Sequence, residues 1–414
     1  MSILNYLKTE RGKIYGSASF LTGLSAMFCF MGYEFIRSSS ESIFLSRFSA
    51  VDKTYALFLT PFFLFFLIYL YGVILSRYGA MFAMSAYFIF SFFSMFILYF
   101  FTNLKITFFI FFTLVFKESY VVILSEMYWS YINSILKADE AKVINGPLAG
   151  LGALGSLSGG YAVFRFAKIT GSEFLILLSA VLLIPAYVFF RYAYRITGEP
   201  QVDEDEKGGK KGHIHLSILK ENRTVLFIAF IVFIAQSVST LADINFSHFV
   251  KREMSDTDIR TAYLGSFWMR VNIISFTMQF LITPYVLKRF KIKYVLVSIP
   301  SIHLLTSLYC YIKPSLLTSS VLFMLFKSFD YSIYRASKEI LYIPFSYDTR
   351  YRVKQFVDAF IYRSSKAITS GILSVLNLFL LSYISSLAIV ISFLSILWTY
   401  TASKIKTDSQ ESKS

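Results

Sequence analysis

Lys327 to Lys366 reads KSFDYSIYRASKEILYIPFSYDTRYRVKQFVDAFIYRSSK. The runs on either side are almost wholly apolar, yet this stretch carries a charge every few residues. At about 100° per residue, Lys327, Asp330, Tyr331, Tyr334 and Lys338 fall on one helical face, with Arg335 at its edge. Past the break at Pro344, Asp358, Tyr362, Lys366 and Thr369 make a second polar stripe. At a bilayer centre each charge costs roughly 2.5–3.5 kcal/mol, so Lys327, Asp330, Arg335, Lys338 and Glu339 would together cost on the order of 15 kcal/mol facing lipid. They are expected to face a bundle interior or a watery cavity. A soluble insertion is the alternative, and the flanking apolar spans, beginning with Phe323 to Phe326, stand against it.

Those spans set the class. Of the 414 residues, 56% are hydrophobic and 46 are Phe, with a mean hydropathy of +0.60. Soluble domains seldom exceed about half apolar. Here the apolar residues come in runs of roughly 20, long enough to cross about 30 Å of hydrocarbon as helix. The expectation is an all-α, multi-pass membrane protein. Six spans are expected near 16–37, 54–76, 80–101, 105–134, 144–168 and 172–195. Six more are expected near 223–250, 260–287, 292–312, 315–343, 353–379 and 382–403. Residues 198–223, GEPQVDEDEKGGKKGHIHLSILKENR, form the long polar segment of the chain. Its Gly, Pro and mixed charges read as a flexible tether. The expected organisation is a six-helix half over 1–195, a linker over 196–222, a second six-helix half over 223–403 and a tail over 404–414.

The formal net charge of +15 follows the loops. With the N-terminus inside, the inner loops and tails hold about 23 basic residues and the outer loops about 9. Both termini and the linker are therefore expected in the cytoplasm, most simply in a bacterial-type inner membrane, and no nucleic-acid partner is implied. The N-terminal MSILNYLKTERGKIYG lacks a short apolar core with a cleavage site and reads as a lead-in to a retained first span. Cys29 and Cys310 both lie in apolar spans and offer neither a disulfide framework nor a CxxC site. His213 and His215 sit in the polar segment, where solvation explains them better than a metal. No P-loop, GxSxG or HExxH is present, so no catalytic residue, metal or cofactor is expected, and the chain does not read as an enzyme.

The two halves echo each other. Leu75-Ser-Arg77-Tyr78 and Leu287-Lys-Arg289-Phe290 follow the second and eighth spans, and Phe116-Lys117 and Phe326-Lys327 lie at matching places in the fourth and tenth. Two six-span halves with a cytoplasmic linker indicate the major-facilitator architecture, with substrate bound between halves near the midplane. The basic residues inside spans are Arg37, Lys117, Arg165, Arg270, Lys327, Arg335, Lys338, Arg363 and Lys366. The acidic ones are Glu34, Glu118, Glu126, Asp243, Asp330, Glu339 and Asp358. An excess of positive charge behind low-dielectric walls suits a polyanion. Arginine grips phosphate oxygens bidentately and lysine as a compact point charge. The competing reading makes them inter-span ion pairs, above all Glu34, Arg165, Asp330 and Glu339. Trp129, Trp268, Tyr331 and Tyr334 could stack on a base or simply pack. The fifth span, NGPLAGLGALGSLSGG, repeats small residues three and four apart (Gly146, Gly150; Gly152, Gly155, Gly159) and reads as a helix-packing face rather than a phosphate loop.

One block adds a resemblance. Ala336-Ser-Lys338-Glu339-Ile-Leu-Tyr342-Ile-Pro344, then Arg352-Val-Lys354, Val357-Asp358 and Ser364-Ser365-Lys366, resembles the most characteristic block of the ATP/ADP translocases of plastids and intracellular bacteria, which reads roughly TKEMAYIPL, VKGKAAVDV and a GKSGG-like run. Ser125 to Trp129, Asn133 and Ala138-Asp139-Glu140-Ala141-Lys142 resemble that family's LSxxFWGxAN and TxDEAKR. Ile36-Arg37, Leu241-Ala-Asp243 and Ala262-Tyr263-Leu264-Gly265-Ser266-Phe267 resemble shorter family runs. The resemblance implies a major-facilitator-type exchanger of nucleoside tri- and diphosphates working as a monomer, with ATP or ADP as bound substrate. It implies Arg37, Lys338 and Lys366 at the nucleotide and Asp243 and Asp358 in charge balance or gating. Lys327 and Arg335 are further substrate-binding candidates, and Glu118 and Glu126 are candidates for gating or proton coupling. The sequence departs from the family where a lysine falls on Ser39 or Ser40, where another falls on Ser247, and where an aspartate falls on Arg335. Transport of another organic anion or a lipid-like phosphate, and a non-transporting sensor of the same fold, remain the alternatives.

Overall fold

The computed structural model describes residues 6–198, 223–342, 357, 360–379 and 386–405. The linker's core with His213 and His215, the Pro344 segment and Asp358 lie outside the described residues. The described chain is helical: α1 (Glu10–Arg47), α2 (Lys53–Tyr78), α3 (Ala80–Asn103), α4 (Thr107–Ile135), α5 (Ala138–Thr170), α6 (Ser172–Thr197) and α7 (Arg223–Glu253). Then follow α8 (Thr257–Thr277), a π-helical segment (Met278–Ile282), α9 (Thr283–Arg289), α10 (Ile292–Ile312), α11 (Leu316–Asp330), α12 (Ile333–Leu341), α13 (Tyr362–Phe379) and α14 (Leu387–Ser403).

Among the described residues seven helices are long and apolar enough to cross a membrane: α1, α2, α3, α4, α6, α7 and α10. The pair α11 and α12 makes an eighth if taken as one bent span. α5, α8 and α13 cover further expected spans but do not join that set. Asp139, Glu140, Arg165 and Lys168 charge α5, and Asp258, Arg260 and Arg270 charge α8. The α14 helix is apolar and 17 residues long. The chain is a multi-pass, all-helical membrane protein. Its boundaries are set by local chemistry: Gly171, at φ 85°, ends α5 and opens α6, a conformation that glycine adopts without a Cβ clash. Asp258 then caps α6, its Oδ1 accepting from the Ser172 amide at 2.8 Å.

The expected unbroken helix over 315–343 is corrected. α11 and α12 meet at a 40° bend, because Ser332 leaves the helical region (φ −127°, ψ −102°). Its hydroxyl donates back to the Ser328 carbonyl at 2.5 Å, while its amide pairs with Phe329 O at 3.2 Å. Such back-bonding by serine competes with the regular ladder and bends helices. Counting 100° per residue therefore fails across the bend, and the single face carrying Lys327 through Lys338 does not exist as drawn.

Two compact units emerge from the packing. The first comprises Met1–Arg47, Phe62–Gly209 and Ser255–Met269; the second comprises Phe48–Pro61, Lys210–Met254 and Arg270–Ser414. In the first, α1 is the hub, packed on α4, α5 and α6. Its run from Phe35 to Leu45 is buried throughout. In the second, α7 is the hub, packed on α11, α13 and α14. The small-residue face of α5 does pack as expected: a Cβ at Gly155 would lie 2.1 Å from the Met27 carbonyl oxygen, and one at Gly159 2.7 Å from that of Met31. α1 and α5 thus touch nearly backbone to backbone there.

Candidate functional site

Each unit gathers its own charged cluster. In the first unit, α1 presents Glu34, Arg37 and Glu41 one helical turn apart, all buried. The Arg37 guanidinium carbon lies 3.1 Å from the Trp268 ring centroid and 5.4 Å from that of Tyr33. Its Nη1 is 3.4 Å from Glu34 Oε1. From α4, buried Lys117 places Nζ 2.9 Å from Glu118 Oε1 and 3.8 Å from Glu41 Oε2. Arg37 is close enough to act electrostatically on Lys117. Arg260 of α8, also buried, donates to the carbonyls of Ser42 (3.1 Å) and Ser255 (2.9 Å). Among the described residues three carboxylates and three cations are interleaved, so this set is close to neutral. Arg37 and Glu118, both singled out above, belong to it. Glu126, about two turns further along α4, is exposed and does not.

The second cluster is built on the hub helix α7. Gln236, Ser239, Asp243 and Ser247 recur three and four residues apart and share one face. Lys53, from the first turn of α2 and 2% exposed, sets Nζ 2.9 Å from Asp243 Oδ1 and 3.1 Å from Ser247 Oγ. Lys327, buried near the end of α11, donates to Ser239 Oγ at 3.0 Å. Its Nζ lies 5.5 to 5.8 Å from the rings of Phe323, Phe326 and Tyr331, within cation–π range. Lys366, Asp330 and Asp243 all act electrostatically on Lys327. Lys366 of α13 is 5.4 Å from the Tyr362 centroid, and Thr369 one turn on donates to Ser237 Oγ at 2.9 Å. Buried Asp330 keeps one carboxylate oxygen, Oδ2, without a hydrogen-bond partner among the described residues.

Among the described residues the cluster thus joins three lysines and two carboxylates. Of the expected site residues it brings together Lys327 and Lys366, expected at the substrate, and Asp243, expected in charge balance or gating. Arg335 is exposed at the start of α12 and acts electrostatically on Tyr362. Lys338 is half-buried one turn later, beyond the bend. The aromatic candidates divide: Trp268 stacks on Arg37, whereas Tyr334 packs edge-on to Trp398 at 5.4 Å. Arg165 and Arg270 are exposed, which leaves Arg165 outside the buried ion pairs expected of it.

Lys53, Glu41 and Arg260 escaped the sequence reading. Lys53 sits one residue before an expected span, where lysine ordinarily anchors at the membrane interface. The signal that could have found its partner was the polar stripe on α7. Ser247 is also where the resemblance expected a lysine, and Lys53 supplies an ammonium to that place from another helix.

Residues 315–408 match the TLC ATP/ADP transporter family. That segment contains Lys327, Arg335, Lys338 and Lys366, so the resemblance read from the KE-x-x-YIP block is borne out there. The shorter runs around Arg37, Asp139 and Asp243 lie outside the matched residues. Among curated proteins none matches the chain. Solved structures share the fold: a point mutant of the nucleoside transporter NupG superposes with a TM-score of 0.71 at 12% identity, covering 95% of this chain and 100% of its own. A bacterial homologue of the iron transporter ferroportin, in an inward-facing state, gives 0.68 at 12% identity, with 95% and 99% covered. The POT family transporter PepTSo gives 0.63 at 12% identity, with 94% and 96% covered. The chain shares the fold of these transporters.

Proposed function

We propose that this protein is a secondary transporter that exchanges nucleotides of the ATP/ADP kind, or closely related phosphorylated anions, by alternating access. The observation that carries the reading is the cluster on α7, where among the described residues buried Lys53 and Lys327 and half-buried Lys366 stand with buried Asp330 and half-buried Asp243. Lysines drawn together at low solvent exposure favour an anion, and a phosphate supplies several acceptor oxygens at once. In this reading Lys327 and Lys366 bind phosphate, Lys338 and Arg335 are further substrate-binding candidates of the second unit, and Arg37, beside Trp268, is the candidate of the first. Asp243, Asp358, Glu118 and Glu126 balance charge or gate. The chain crosses the membrane twelve times in two sets of six, 1–195 and 223–403. Both termini and the 196–222 linker are cytoplasmic, and the protein acts as a monomer.

Proteoliposomes loaded with ADP are expected to take up labelled ATP faster than empty ones. Uptake indifferent to internal nucleotide removes exchange, and failure of any nucleotide to compete for binding removes the nucleotide reading. A second reading, transport of an organic anion without phosphate, is favoured by the neutralisation of Lys53 by Asp243 and of Lys117 by Glu118. A panel of anions competing against labelled ATP separates the two. Saturable binding with no flux would point to a sensor.

A further inference from the structure

We propose that a crevice between α1 and α5 holds one acyl chain of an anionic phospholipid, with the headgroup on Lys8 and Lys13. The crevice follows from how the two helices separate. At Gly155 a Cβ would be 2.1 Å from the Met27 carbonyl, and at Gly23 one would be 2.5 Å from a Leu151 methyl. Toward the start of both helices the contact opens, and at Gly146 and Gly150 a Cβ would meet nothing within 4 Å. The wedge left between them measures about 440 Å³ and is lined by Leu7, Ser17, Phe20, Pro147, Leu148 and Leu151 among others. Binding clefts for small molecules fall between roughly 300 and 1,000 Å³. The walls are apolar, and water filling such a space would find few partners.

Three features select a phospholipid rather than any hydrocarbon. The residues before α1 fold back over its first turns: Thr9 Oγ1 donates to Tyr6 O at 2.8 Å, and a Cβ at Gly16 would strike Leu7 at 2.6 Å. This places Lys8 beside the Leu7 wall, while Lys13 stands one turn above Ser17 on the same face of α1. Both lysines are exposed, and neither makes an ion pair among the described residues, whereas neighbouring Arg11 is held by Glu140 at 2.9 Å. Ser19, 1% exposed and lining the crevice, has a hydroxyl with no partner among the described residues. A glycerol ester carbonyl accepts from such a hydroxyl, and a phosphate or phosphoglycerol group neutralises the lysines.

The test uses the full chain in detergent, incubated with equal amounts of dioleoyl-phosphatidylglycerol and dioleoyl-phosphatidylcholine and measured by native mass spectrometry. One phosphatidylglycerol is expected to be retained in preference to phosphatidylcholine. A juxtamembrane lysine is worth about fivefold in anionic-lipid affinity, so Lys8→Gln with Lys13→Gln should weaken phosphatidylglycerol retention by roughly 20- to 30-fold. That pair should leave phosphatidylcholine unchanged, and Ser17→Trp, at an exposed lining position, should reduce both. Lys291→Gln with Lys293→Gln removes the same charge elsewhere and should change nothing. The proposal is overturned by equal retention of the two lipids, by wild-type retention in the Lys8/Lys13 variant, or by an equal loss in the Lys291/Lys293 variant. A dimer mass abolished by Ser17→Trp would overturn it too, since a second chain would then occupy the crevice.

Discussion

Lys53 and Asp243 show how a single residue pair can mean two different things. Lys53 Nζ sits 2.9 Å from the carboxylate, and the lysine side chain is 2% exposed while that of Asp243 is 23% exposed. Removing one partner strands the other: Lys53→Met is expected to cost about 3 kcal/mol, the low end for a buried pair because Asp243 keeps some solvent. Lys53→Met combined with Asp243→Asn should recover most of that loss, read as thermal unfolding in detergent. Transport separates the remaining meanings. If the pair only braces α2 against α7, the double variant regains nucleotide uptake along with stability. If Lys53 also binds phosphate, stability returns and uptake does not. A double variant as unstable as Lys53→Met alone would show that the pair is not energetically coupled.

Among the helices, α5 contains its own control. Gly155 and Gly146 lie in the same helix, and both are weak helix formers. At Gly155 the obstacle to a side chain is the Met27 backbone, which has no rotamer with which to yield. Gly155→Ala should therefore push α1 and α5 apart and destabilise the protein by a few kcal/mol, as overpacking does. At Gly146 the space is open, and Gly146→Ala should be neutral or stabilising by up to about 1 kcal/mol. Melting temperatures of the two variants side by side check this, and equal effects would mean that α1 and α5 do not touch at Gly155. The bend between α11 and α12 belongs to the same scale. Ser332 breaks a helix that hydrophobic periodicity would continue, and it leaves Lys327 in the buried cluster while Arg335 emerges at the surface.

For the whole molecule, orientation is the expectation most open to direct measurement. From the excess of basic residues in alternate loops, both termini are expected inside. Cys29 and Cys310 are buried, free thiols, so a membrane-impermeant maleimide should leave the parent chain unlabelled. In that background Lys105→Cys and Lys313→Cys, both at exposed positions, should label on intact cells. Lys8→Cys should label only after permeabilisation. The reverse pattern would invert the topology, and labelling of all three on intact cells would rule out a closed membrane barrier.

Whatever depends on one helix and its solvent could be read from the order of the amino acids. The apolar runs, their lengths and most of their ends were legible because hydrocarbon thickness and backbone hydrogen bonding leave a segment few options. α2, α3, α4 and α6 begin and end within about two residues of expectation, whereas α1 runs from Glu10 to Arg47 and α5 starts at Ala138, both longer than the spans expected at 16–37 and 144–168. The KE-x-x-YIP block was legible as a local string, and it lies within the family match over residues 315–408. Which charges meet is settled by packing in three dimensions. Lys53 joins Asp243 across 190 positions of sequence, Lys117 finds Glu41, and Arg37 lies flat on Trp268. No periodicity within one helix encodes such partners, because they depend on how neighbouring helices are rotated and how deeply each side chain is buried. The bend at Ser332 was equally hidden, since a hydroxyl's choice between water and the carbonyl four residues back is settled by what packs around it.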